Sequence, residues 1–241
     1  MRMASQARVA LVTGGGKRVG RAIVQTLADA GLDVLFTTRD QQVVDGPISR
    51  VGRITPITVD VSDLPQSVDA LLETIQSSFG RLDVLVHNAS IYDEGDLAHT
   101  GTRLIRRLNR IHVEVPILLT KAMTPFLRAS KGHVITMLDA GVERPMPKYL
   151  AYSASKAALA NLTVGMAREL APDVTVNGVA PGVVVWPKDF PEHDKHAYIA
   201  RTPLNRTGDP SDAANLVKYL VTEGKYITGQ IIRVDGGRSI I

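Results

Sequence analysis

The stretch Ala10–Arg21, ALVTGGGKRVGR, constrains this chain more than any other. Val9–Thr13 is an apolar, largely β-branched run that reads as a buried strand. It breaks at Gly14, Gly15 and Gly16, and a helical pattern restarts near Arg18. A strand that turns through glycines into a helix N-terminus is a place to hold phosphate. Glycines let backbone N–H groups approach closely, and the unpaired amides at the positive end of the helix dipole favour an anion. The spacing is not the common G-x-G-x-x-G, because the last glycine, Gly20, comes late. An ordinary strand–turn–helix corner is the competing reading of this stretch alone.

Short β-branched runs then alternate with longer helical patterns, which predicts a doubly wound α/β fold with a parallel sheet and helices on both faces. Strands are expected over 8–13, 33–38, 54–59, 82–87, 132–138, 173–179 and 230–234. Helices are expected over 18–30, 65–79, 101–129, 150–170 and 210–223, with Pro116 and Pro125 as candidate break points in the third. Gly31 and Gly80 read as helix C-caps. A single domain over 1–241 is expected, with 44% hydrophobic and 22% charged residues enough for a sizeable core.

No run of about 18 apolar residues exists, so no membrane span is expected, and MRMASQAR lacks the apolar centre of a secretory signal. Zero cysteines exclude disulfides, thiol catalysis and cysteine-ligated metals, and fit a cytoplasmic protein. A net charge of +4 suits a phosphorylated cofactor without calling for nucleic acid. Arg103, Arg106, Arg107 and Arg110 have helical spacing and read as a solvated face.

Candidate site residues fall at the carboxyl ends of the expected strands. The second strand ends at Thr38, followed by Arg39 and Asp40. A carboxylate at that tip suits a ribose 2′-hydroxyl and an arginine suits a 2′-phosphate; Lys17 and Arg18 tip the balance toward NADP. Asp60 and Val61 after the third strand can face an adenine, or Asp60 and Ser62 can simply cap a turn. His87–Asn88–Ala89–Ser90 follows the fourth strand, with Tyr92 on the same loop placed to stack on a flat ligand. Asp139 ends the fifth. Tyr152 and Lys156 are four apart, hence on one helix face. A phenol titrates near roughly 10; an adjacent ammonium, helped by a nicotinamide cation, is expected to lower that and make Tyr152 a usable general acid. Asn177 through Pro181 and Gly182 closes the sixth strand. A polar, proline-broken stretch at about 184–206, holding Trp186, Phe190 and Tyr198, reads as a substrate loop or lid.

Taken together, Thr13–Gly14…Gly20, Asp60, Asn88–Ala89, Tyr152…Lys156, Asn177 and Pro181–Gly182 resemble the short-chain dehydrogenase/reductase family along nearly the whole chain. The resemblance implies a Rossmann-type fold of about seven strands, a homotetramer, and NAD(P)-dependent hydride transfer with Tyr152 as proton donor and Lys156 as its partner holding the ribose. It implies cofactor contacts at Gly14, Lys17, Arg18, Val19, Thr38, Arg39, Asp60, Val61, Asn88, Ala89, Ser90, Tyr152, Lys156, Pro181, Gly182 and Val184. Substrate contacts are implied at Arg18, Ser90, Tyr92, Asp139, Tyr152 and Trp186, with no metal.

The departures narrow the reading. Most relatives carry Gly or Ala at Arg18, Gly at Ser90, Asn at His112, and a serine near Asp139 whose hydroxyl donates to a substrate carbonyl. An ionised carboxylate cannot make that donation and repels an oxyanion. These substitutions, with Lys225–Gly229 and Val234–Gly237, resemble the pteridine reductase branch, where an Asp stands thirteen residues before the Tyr. His112 either relays protons or packs. The expected reaction is NADPH-dependent reduction of a 7,8-dihydropterin such as dihydromonapterin or dihydrofolate. A keto reductase acting on 3-oxoacyl thioesters, with Asp139 protonated or turned away, is the alternative enzyme. A cofactor-sensing regulatory protein is the non-enzyme alternative, which has no need of an acid–base pair.

Overall fold

The computed structural model describes residues 7–39, 51–143, 147–187 and 190–241. Its strands are β1 (Val9–Val12), β2 (Asp33–Thr38), β3 (Ile54–Thr58), β4 (Val84–His87), β5 (His133–Met137), β6 (Thr175–Pro181) and β7 (Ile231–Val234). They form one sheet in the order β3-β2-β1-β4-β5-β6-β7, every pairing parallel. Ala10 lies level with Val34 on one side and Val84 on the other, so the strands on both sides of β1 end together. Strand order reverses at β1, which opens a crevice beyond its carboxyl end.

The strands read as nearly continuous apolar runs because both faces are covered. Val9, Leu11, Leu35, Leu85, Val134 and Val176 point to one face and pack with α2 (Gln66–Thr74), α4 (Val115–Ser130) and α5 (Leu150–Leu170). Their neighbours Ala10, Val12, Val34, Phe36, Val86 and Ile135 point to the other, against α1 (Arg18–Asp29) and α7 (Pro210–Thr222). The two-residue alternation of a strand thus divides the core into two layers. No helix among the described residues is long and apolar enough to cross a membrane.

Two expectations need correction. The run over 101–129 does not break at either proline. α3 (Thr102–Asn109) continues through a π-helical turn, Arg110–Glu114, into α4. Pro116 falls directly after that turn, where a missing N–H is tolerated. Pro125 is on the exposed side of α4 while Met123 and Leu127 anchor the helix to the sheet, so burial overrides propensity. The stretch over 184–206 contains a helix, α6 (Glu192–Ala200). It buries none of its side chains, so it lacks the periodic apolar signal of a core helix, while Glu192 and Asp194 complement its N-terminal dipole. The second helical run also ends in a π turn, Ile75–Phe79, closed by Gly80 at φ +65°.

Candidate active site

The strand ends open onto one cleft of about 1280 Å³. The cofactor and substrate contacts that the family resemblance implies all line it, from Gly14 on β1's turn to Trp186 after β6. Asp40 lies outside the described residues.

One half of the cleft is built from backbone. Gly14 sits at φ +67°, and a Cβ there would come within 3.0 Å of Ala89 Cα. A Cβ at Gly20 would run into Gly14 O, so the late glycine is what lets α1 close against the turn. Asn88 Nδ2 donates to Thr13 O and Gly14 O, both at 2.9 Å, and the N–H groups of Asn88 and Ala89 donate to Thr13 Oγ1 at 3.0 Å. The loop after β4 is therefore stitched to the glycine turn. Arg18 adopts φ +51°, a left-handed conformation that favours glycine. Strain of this kind persists where the surroundings impose it. Lys17 and Arg18 are exposed at this edge, and Val19, Thr38 and Val61 continue the wall. Asp60 serves the turn with one oxygen, which accepts from Ser62 N at 2.9 Å and Ser62 Oγ at 2.7 Å. Its other oxygen lies 3.9 Å from Arg39, whose side chain is 70% exposed; so loose a pair leaves Arg39 available to an anion.

The other half is built from side chains. Tyr152, buried on α5, donates its hydroxyl proton to Asp139 Oδ2 at 2.9 Å, and Asp139 Oδ1 accepts from Gly141 N at 2.7 Å. Lys156 Nζ donates to Met137 O at 2.8 Å and lies 5.9 Å from the centre of the Tyr152 ring. Burial lowers the Lys156 pKa to about 8, opposed by the charge of Asp139. In the chain alone, Lys156 does not lower the Tyr152 pKa. Burial first, then the charge and hydrogen bond of Asp139, raise it well above its ordinary value. The carboxylate is bonded to the phenol, whereas the ammonium is turned to the strand carbonyl. Tyr152 is thus held protonated.

Tyr92 stacks on Tyr149 with ring centres 4.4 Å apart and meets Tyr152 edge-on at 4.8 Å. Tyr149 donates its hydroxyl proton to Glu94 at 2.7 Å. Gly95 N donates to Lys148 O at 2.8 Å, so the two ring-bearing loops are held together. Across the cleft, Trp186 stacks on Phe190 at 4.8 Å and meets Tyr198 edge-on at 5.4 Å. Pro181, Gly182 and Val184 lead into that aromatic cluster. Asn177 does not reach the cleft: its amide bonds Ile227 O and Gln230 N and fastens β6 to the segment before β7.

The sequence model of the family described as Enoyl-(Acyl carrier protein) reductase matches residues 16–239. The chain belongs to the short-chain dehydrogenase/reductase family. It is similar to the dihydromonapterin reductase of Enterobacter sp. strain 638, 30% identical over 97% of each chain. A dihydromonapterin reductase of Escherichia coli strain SMS-3-5 is 32% identical over 95% of this chain and 96% of its own. Among solved structures, acetoin dehydrogenase from Enterobacter cloacae superposes with a TM-score of 0.85 at 30% identity, covering 98% of this chain and 97% of its own.

Several groups that shape this cleft were not singled out from sequence. Tyr149 stands alone between a proline-rich loop and a helix, and the contacts of Glu94 and Gly95 are what bring it to Tyr92. The arginines over 103–110 are not uniformly a solvated face. Arg110 Nε donates to Ser62 O at 2.8 Å and its Nη2 to Leu64 O at 3.3 Å, while Arg107 pairs with Asp93 at 3.0 Å. Both line the cleft and fix its rim. The π turn is what aims Arg110 at those carbonyls. His112 is buried, with both ring nitrogens bonded at 2.8 Å: Nε2 to Ser90 Oγ and Nδ1 to Ser155 Oγ. Burial and the charge of Lys156 lower its pKa to about 2.

Proposed function

We propose that this short-chain reductase uses NADPH to reduce a 7,8-dihydropteridine, such as dihydromonapterin or dihydrofolate, to the tetrahydro form. The observation that carries the reading is the Tyr152–Asp139 hydrogen bond, beside the stacked Tyr92 and Tyr149 rings. A ketone reductase needs a donor opposite the developing oxyanion. Asp139 offers an acceptor, which suits a flat ring bearing an amino group and a ring N–H. The names of the relatives in Enterobacter and Escherichia coli point the same way.

The residues suit a dinucleotide. The Gly14 turn is a cradle that a Cβ would fill, and Lys17, Arg18 and Arg39 place positive charge on the nucleotide side of the cleft. Lys156 spends one N–H on Met137 and has others to give a ribose. When bound, reduced nicotinamide supplies the hydride. The chain's own part is to hold the ring flat against Tyr92, to accept from its donors at Asp139, and to deliver a proton from Tyr152 to the ring nitrogen of the C=N bond. The phenolate left behind sits beside Asp139, and the Lys156 ammonium offsets that like charge. We read the active form as a cytoplasmic homotetramer; the half-exposed Ile105 and Ile117 on α3 and α4 and Val164 on α5 support an assembly surface.

The test is NADPH consumption with 7,8-dihydropterins beside acetoacetyl thioesters. Turnover of the former is expected, together with diaminopteridine antifolates that bind competitively and only once NADPH is present. No dihydropterin turnover, with methotrexate indifferent to NADPH, would transfer the case to a keto reductase.

A further inference from the structure

Ser90 stands at the cleft surface, exposed, with two buried residues in file behind it: His112, 1% exposed, and Ser155, 2% exposed. The hydrogens of this file can be counted. Ser155 Oγ lies 2.7 Å from Tyr152 O, and a carbonyl oxygen only accepts, so the single Ser155 proton is committed there. Ser155 Oγ is then an acceptor toward His112, and His112 Nδ1 carries the hydrogen of that 2.8 Å bond. Burial and Lys156 keep the imidazole neutral, so it has no second N–H. His112 Nε2 is therefore a bare acceptor, and the Ser90 hydroxyl proton must fill its 2.8 Å contact. The other acceptor near Ser90 Oγ, Ile91 O at 3.4 Å, is too long to compete.

Two consequences follow from the count. The file ends on a backbone carbonyl, which has no proton to pass on, so His112 is not a wire to the Tyr152 hydroxyl. And Ser90, its hydrogen turned inward, shows the cleft only lone pairs. We infer that His112 is a specificity-determining positioning residue that fixes Ser90 as a hydrogen-bond acceptor, selecting a substrate edge that carries N–H donors. The inference rests on the pteridine reading for the identity of that edge, while the hydrogen count stands without it.

The experiment compares the binding of 6-hydroxymethylpterin and 6-hydroxymethyllumazine to the full chain in the presence of NADPH. In the second ligand the 2-amino donor is replaced by an oxo acceptor. The wild type should prefer the pterin. His112→Leu, which frees the Ser90 hydroxyl to turn outward, should reduce that preference about fivefold, the worth of one net hydrogen bond. Ser90→Ala should reduce it too, and adding His112→Leu to Ser90→Ala should change nothing further, because the histidine acts through the serine. A His112→Leu protein that keeps the wild-type preference, or an effect that persists undiminished without the Ser90 hydroxyl, overturns the inference and leaves the pteridine reading standing. Wild-type protein that binds neither ligand defeats the reading and the inference with it. Should His112→Leu fail to fold, long-range proton–nitrogen NMR on the wild type decides: hydrogen on Nδ1 is expected, and hydrogen on Nε2 overturns the assignment.

Discussion

The two halves of the cleft are made differently. Around the glycine turn the wall is backbone: amides, carbonyls, and glycines that leave no room for a Cβ. The charged side chains there, Lys17, Arg18 and Arg39, are exposed and loosely held. Beside β5 and α5 the wall is side chains, buried and bonded to one another: Tyr152 to Asp139, and His112 to Ser90 and Ser155. A backbone wall recognises what dinucleotides share. A wall of interlocked side chains can be rewritten one residue at a time, so substrate choice belongs there. Substitutions in the first half should move affinity for the cofactor; those in the second should move turnover and choice of substrate.

The largest expected effect is in the second half. Tyr152→Phe should lower turnover about a hundredfold or more, the usual worth of a positioned general acid, while NADPH binding measured by fluorescence stays nearly intact. Lys156→Ala should damage both quantities, and the two losses should fall far short of adding. Near-normal turnover in the Phe variant would erase the distinction between the halves. Asp139→Ser should cost dihydropterin reduction about ten- to a hundredfold, as the loss of a charged hydrogen-bond partner does. It should also admit weak ketone reduction, since a donor returns; steady-state assays on both substrate classes check this.

Acidity should weaken the fold through its buried histidines, of which His112 belongs to the second half. Burial lowers His112 to about 2, His87 to about 3 and His133 to about 4, from an ordinary 6.5. Each folded value lies below the unfolded one, so the stability involved is fully present above pH 6.5 and is lost as pH falls below it. Each histidine accounts for about 1.4 kcal/mol per pH unit in that range. Melting temperatures should therefore drop between pH 6.5 and 5, and His112→Asn should flatten the slope. Amide exchange should report opening first around these three histidines, at the end of β4, in the Arg110–Glu114 turn and at the start of β5. In the first half, Arg39→Ala should raise the KM for NADPH about tenfold and leave that for NADH almost unchanged, as removal of one charge-assisted contact predicts. The smallest effect is expected from Tyr92→Ala, about 1 kcal/mol or fivefold in pterin affinity, the value of one stacked pair, with cofactor affinity unaltered.

The same contrast explains what could be read from the chain. The strands of a parallel sheet and the turn after β1 follow from local patterns: β-branched runs, three consecutive glycines, and a helical period opening at Arg18. Tyr152 and Lys156 are visible because one helix carries both. The Tyr92–Tyr149 stack and the His112 file join segments tens of residues apart, and no local spacing records them. Helix α6 escaped because it buries nothing. The direction of the Tyr152 shift in the chain alone is hidden from sequence for a related reason. Sequence shows the lysine one turn away, but not that its ammonium is claimed by Met137 O while Asp139 reaches the phenol.

The wide turn at Arg110–Glu114 bears on how this protein can be re-engineered. A π turn holds one residue more than an α turn, so it acts as a bulge in the long rod formed by α3 and α4. Deleting a single residue there would leave an unbroken helix. It would keep the stretches on either side nearly in phase, since a π turn and an α turn each sweep about one turn, but it would displace the residues of the turn itself, swinging His112 or Arg110 off its target. Grafting the substrate wall onto a relative therefore means transplanting this turn with its length intact, since matching individual side chains would deliver them to the wrong azimuth.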